Sequence, residues 1–167
     1  MLIVRNVKLL TPLLAARLTH NKEEDQHRRE FNKAIGAEGK ILIRNDLPRW
    51  NWAFLEARDA LSLSDVAVSA IIPSQYYEVS GTSTYWRTYR RGREQQREAF
   101  EALSTGRVIH FSFTLSKHLP PGGDGEGRFT RPPDEEEFDA MLAHIGEHLG
   151  MSEWGHAYLY GRFTLKK

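Results

Sequence analysis

Apolar and polar residues alternate most regularly over residues 107–115, where Ile109, Phe111, Phe113 and Leu115 share one face of an extended chain and His110, Ser112 and Thr114 the other. Residues 2–10 are rich in branched apolar side chains and stop at Thr11-Pro12, which also predicts a strand. A shorter strand is expected at 40–44, after the turn marked by Gly36 and Gly39. Residues 66–72 form an uninterrupted, β-branched apolar run of the kind found in strands buried on both faces. Residues 156–165 alternate again, with Ala157, Leu159, Phe163 and Leu165 facing one way and Tyr158, Tyr160, Arg162 and Thr164 the other.

Helical spacing appears in three places. Asn45-Asp46-Leu47-Pro48 is a helix-start signal, because a short polar side chain accepts the free amides of a first turn and proline has no amide to lose there. Trp50, Phe54, Ala57 and Leu61 then predict an amphipathic helix over 48–61 with that stripe inward. Ala99, Phe100 and Leu103 predict a helix over 94–103 that Gly106 closes. Asp134 with Glu137 reads as a capping box ahead of the stripe Phe138, Met141, Leu142, Ile145 and Leu149, and Gly150 stops that helix. Gly81-Thr82-Ser83 marks a loop.

This succession predicts an α+β fold, most simply a ferredoxin-like sandwich: a mostly antiparallel sheet with helices on one face. One domain over 1–167 is expected, with a charged excursion at about 17–39 and a Gly/Pro-rich loop at about 119–133. If both alternating strands belong to one sheet, its uncovered face carries His110, Ser112, Thr114, Tyr158, Tyr160 and Arg162.

Composition narrows the chemistry. Eight Phe, six Tyr and four Trp supply enough ring surface to bury that a disordered polymer is excluded. With no cysteine, a disulfide scaffold, a thiolate zinc site and a cysteine nucleophile are all excluded. No apolar run approaches the roughly 20 residues that span a bilayer, and no export leader is recognised, so a cytoplasmic protein with no membrane partner is expected. A net charge of +1 gives no global attraction to nucleic acid, so any basic footprint must be local.

One such footprint exists. Arg87, Arg90, Arg91, Arg93 and Arg97 cluster within residues 85–97, interleaved with Tyr85, Trp86 and Tyr89. Guanidinium groups neutralise phosphates while rings stack on unpaired bases, so the stretch suits RNA or another single-stranded nucleic acid. It equally suits a solvated face that pairs with Glu135-Glu136-Glu137 or with an acidic protein surface. On the uncovered face, Tyr158, Tyr160 and Arg162 could stack on or clamp a strand. His110 is the best-placed catalytic candidate, a general base for metal-independent RNA cleavage aided by Arg162 or Tyr160, though a plain surface histidine is the simpler reading.

Other motifs lead away from catalysis. His144, Glu147 and His148 match H-x-x-E-H, but the only carboxylate side chain downstream is Glu153, so the distant third zinc ligand is missing and no metal is expected. Residues 120–127 are glycine-rich without the Lys-Ser/Thr ending of a phosphate-binding loop, and no nucleotide or other cofactor is expected.

An opening strand ending in Leu10-Thr11-Pro12-Leu13, a middle Leu47-Pro48 leading into a helix, and a glycine-punctuated C-terminus closing on Tyr160-Gly161-Arg162-Phe163 resemble, in organisation, the repeat-associated RNA-binding superfamily of CRISPR proteins. The resemblance implies ferredoxin-like domains that hold RNA through a glycine-rich C-terminal loop and basic patches. It would place RNA contacts at Gly155, Gly161 and Arg162. The ending from Gly150-Met151-Ser152-Glu153-Trp154-Gly155 to Tyr160-Gly161-Arg162-Phe163 also looks like uncharacterised phage proteins. The expectation is therefore a non-catalytic RNA-binding protein of a CRISPR-type or phage-related antiviral-defence assembly. A His110 endoribonuclease and an assembly subunit without nucleic acid are the alternatives.

Overall fold

The computed structural model describes residues 1–17, 41–44, 48–74, 76–79, 83–117, 131–151 and 160–166. The fold is α+β and its strand pairings are mostly antiparallel, but the described strands form three sheets instead of the single one expected. The largest has the order β4-β8-β1-β9, built from β1 (Leu2–Leu9), β4 (Ile71–Pro73), β8 (Val108–Leu115) and β9 (Phe163–Leu165). The second has the order β2-β7-β6, from β2 (Leu13–Arg17), β6 (Ser83–Arg91) and β7 (Glu94–Leu103). The third pairs β3 (Ile41–Arg44) with β5 (Tyr76–Val79).

Alternation along β8 does what its pattern requires: Ile109, Phe111, Phe113 and Leu115 are buried, and His110 and Thr114 are exposed. β1 runs antiparallel beside it, with Ile3 opposite Phe113 and Val7 opposite Ile109 on the inner face. Two helices cover that face, α1 (Pro48–Ala60) and α2 (Glu135–His144). Trp50, Phe54 and Ala57 of α1 point inward as the spacing predicts, while Leu61 lies past the helix end and is exposed. The rings interlock edge-on: Phe113 meets Phe138 of α2 at 5.2 Å between centroids and Trp50 at 5.3 Å. Such contacts add roughly 0.5–1.5 kcal/mol each to the burial of the rings themselves.

Electrostatic contacts fix where α2 starts and how it sits. Asp134 accepts from the Glu137 amide and Glu137 accepts in return from the Asp134 amide, which completes the capping box. Arg131 grips Glu137 with both terminal nitrogens, at 2.6 and 2.7 Å, and its Nε donates to Asp65. That bidentate pair, more than the amide bond, holds the Glu137 carboxyl down at about 2. Arg5, half-buried on β1, reaches across to Asp139 and Glu135 of α2.

Past His144 the helix widens into a π-helical turn (Ile145–Leu149) that Gly150 ends at φ +73°. Gly146 is required there by contact, since a Cβ would fall 2.3 Å from the Phe163 carbonyl oxygen and 2.6 Å from its ring. β9 is thereby pressed against the turn.

Three expectations are corrected. Residues 94–103 form a strand, not a helix: Gly92-Arg93 makes a two-residue loop, Gly92 takes φ +66°, and β7 folds back along all of β6. The preference of Glu, Gln and Ala for helix is worth tenths of a kcal/mol per residue, too little to outweigh a full ladder and the burial of Phe100. Residues 66–72 are buried at Val66, Ala67, Val68, Ala70 and Ile71 as expected, yet they bridge to Arg131, turn through a 3-10 helix (Val68–Ala70) and only then extend. In the segment 156–165 only Phe163–Leu165 is a strand among the described residues, because the chain turns at Tyr160-Gly161, where φ of Gly161 is +71°. The excursion beyond Arg17, the helix-start signal at Asn45 to Leu47, Gly81-Thr82 and the Gly/Pro-rich loop up to Thr130 lie outside the described residues.

Candidate nucleic-acid interface

The arginine cluster lies on the hairpin of β6 and β7. β2 pairs with β7 only from Leu103 back to Phe100, so from Arg87 opposite Glu98 to Arg91 opposite Glu94 the hairpin is a two-stranded ribbon among the described residues. Those five pairs extend about 17 Å. Five arginines and two glutamates occupy positions 87–98, a local excess of positive charge in a nearly neutral chain.

Strand alternation divides the arginines. Arg90 and Arg97 share a face with Trp86 and Thr88, Arg91 lies on the opposite face, and Arg93 sits in the turn. Arg90, Arg91, Arg93 and Arg97 are exposed, and among the described residues no carboxylate comes within ion-pair distance of any of them. Arg87 differs: it is half-buried with its guanidinium 5.3 Å from the centre of the buried Phe100 ring, a contact that holds the ribbon's base together. The Glu135 and Glu137 carboxylates, suggested as partners for this cluster, are engaged by Arg5 and Arg131.

Trp86, one of the rings interleaved with the arginines in the sequence, joins the site through its placement on the face that carries Arg90 and Arg97. Its indole is 53% exposed, and the Arg97 guanidinium lies 4.6 Å from the ring centre. The alternation Thr84, Trp86, Thr88, Arg90 was the available signal, and it becomes readable once residues 83–91 are recognised as a strand paired with the next segment.

The C-terminal candidates are placed elsewhere and hold the fold. Tyr160 is half-buried, edge-on to Tyr85 at 5.6 Å with the two hydroxyls 3.2 Å apart, against the small cluster of Leu14, Phe100 and Ala102. The amide of Gly161 donates to the Pro12 carbonyl, and that of Arg162 to Thr11 Oγ1. The Arg162 side chain donates through Nε to the Glu147 carbonyl, satisfying an acceptor in the last turn of the helix. These bonds tie the C-terminal segment to the corner where β1 passes into β2. Tyr158 and Gly155 lie outside the described residues.

His110 is on β8, in the other sheet from the arginines, exposed, with Nδ1 hydrogen-bonded to Asn6 Oδ1. Neither Arg162 nor Tyr160 shares its face, since both precede β9 and make the contacts just described. Beside it, Ser112 and Ser74 share a hydroxyl hydrogen bond of 2.5 Å. The His144 and His148 rings lie 4.6 Å apart between centroids, tilted by 43°, and burial, followed by the neighbouring His148, lowers the His144 pKa from its ordinary value. Among the described residues no three metal-ligating side chains converge. No helix among them is long and apolar enough to cross a membrane.

The chain matches no protein-family model and no curated protein sequence. The ribbon carries four exposed guanidinium groups with no carboxylate in ion-pair range among the described residues, beside an exposed indole.

Proposed function

We propose that this chain binds nucleic acid, single-stranded RNA in the first instance, as a non-catalytic component of a CRISPR-type or phage-related assembly. The observation that carries the reading is the set Arg90, Arg91, Arg93 and Arg97, exposed on a ribbon with no carboxylate in ion-pair range among the described residues. Exposed arginines left without acidic partners are available to exchange counterions for phosphates. The ribbon also narrows the role given to the C-terminal residues: Tyr160, Gly161 and Arg162 position the segment, and the phosphate contacts belong to the hairpin.

The succession β1-α1-β4-β8-α2-β9 supports a ferredoxin-like unit, with the second and third sheets as additions between its elements. That arrangement is also the one the resemblance to the repeat-associated RNA-binding superfamily implies.

The test is to replace Arg90, Arg91, Arg93 and Arg97 together with glutamine and titrate a fluorescent oligouridylate over a range of salt concentrations. Affinity should fall at least tenfold at low salt, and the slope of log affinity against log salt should flatten by up to about 3. Thermal stability should barely move, because such surface changes are usually within about 0.5 kcal/mol each. Unchanged affinity and slope would remove the ribbon from the interface.

A further inference from the structure

Besides charge, the ribbon carries an indole in a setting that burial does not explain. Trp50 is 7% exposed and packs among the core phenylalanines, whereas Trp86 is 53% exposed at the base of the ribbon, opposite Ala99. One feature orders it: the Arg97 guanidinium at 4.6 Å, a cation held over an aromatic ring. By alternation Thr88 and Arg90 follow Trp86 on the same face, and Arg97 stands opposite Thr88. Ring and cations thus repeat along one strip at about 7 Å per two residues.

Resting on the nucleic-acid reading above, we infer that Trp86, held by Arg97, is a base-stacking platform that makes the ribbon select single-stranded over duplex nucleic acid. A duplex already stacks each base between its neighbours and offers an exposed ring only phosphates and base edges. An unpaired strand offers free base faces, and stacking is tolerant of sequence because every base has one. Arg90 and Arg97 would take the flanking phosphates on the same side, so that base and backbone are held by one face of the ribbon. Arg91 and Arg93 would then add attraction without this selectivity.

The experiment measures the affinity of the wild-type chain, Trp86→Ala and Trp86→Phe for three probes of equal length: oligouridylate, an abasic sugar-phosphate oligomer and an RNA duplex. Trp86→Ala should weaken oligouridylate binding about tenfold, leave the abasic and duplex affinities unchanged, and keep the salt slope. Trp86→Phe should restore most of the loss, which a folding defect would not allow. If Trp86→Ala keeps the wild-type preference for oligouridylate over the abasic probe, the platform is overturned while the arginine reading stands. If the wild type itself prefers the duplex, the selectivity is overturned. If the wild type binds none of the three probes, both readings fall and the indole becomes a contact for protein.

Discussion

The four-stranded sheet and the β6–β7 hairpin are made by different rules. In the first, nearly every inward position is apolar and interlocked with α1 and α2: Val7, Phe111, Phe113, Phe54, Phe138 and Met141 are all closed to solvent. In the second, the buried cluster is Leu14, Phe100 and Ala102, and beyond it the ribbon is polar on both faces. A hairpin alone is marginal in water, so this one must be held at its base. Arg87 over Phe100, Tyr85 against Tyr160, and the Gly161 and Arg162 amides at the corner supply that hold. Stability is concentrated in one region, and exposed cationic chemistry in the other.

Three changes would break or sharpen this contrast. The largest effect is expected from Phe138→Ala, which empties a fully enclosed site against Phe54 and Phe113. It should cost about 3–5 kcal/mol in denaturant unfolding, and a loss below about 1 kcal/mol would mean that the helices do not hold the sheet. Next, Tyr160→Phe removes the hydroxyl contact to Tyr85 and should cost about 0.5–1.5 kcal/mol while oligouridylate affinity stays unchanged. Affinity lost beyond the drop in stability would return Tyr160 to the binding surface. The smallest effect belongs to Glu137→Gln. The folded state depresses the Glu137 pKa from 4.5 to about 2, so its contribution is complete above about 4.5 and disappears as pH falls through about 2. The variant should be less stable at neutral pH, and its melting temperature should converge on that of the wild type across this acid range. Parallel melting curves down to pH 2 would show that the Arg131 pair adds nothing.

The same contrast explains what was legible beforehand. β8, α1 and the capping box of α2 could be read because their own side chains announce them: a period of two, a period near four, and Asp134 with Glu137. The strand at Glu94–Leu103 could not, because its residues individually prefer helix and its conformation is imposed by β6 through Gly92-Arg93. For residues 66–72 burial was readable and conformation was not, since a short apolar run fits an enclosed turn as well as an enclosed strand. The arginines were found by charge alone. Trp86 is visible in the sequence only as a ring among the arginines, and the anchoring roles of Tyr160, Gly161 and Arg162 are not visible at all, because facing depends on a register that only the assembled sheets define.

The position of β1 constrains how the chain is made. β1 leaves the ribosome well before β8 and β9, between which it lies, with Val4 waiting for Ser112 and Val7 for Leu165. During synthesis its two hydrogen-bonding edges stay open until those later strands have emerged, an interval in which a bare apolar strand is prone to aggregate or to need a chaperone.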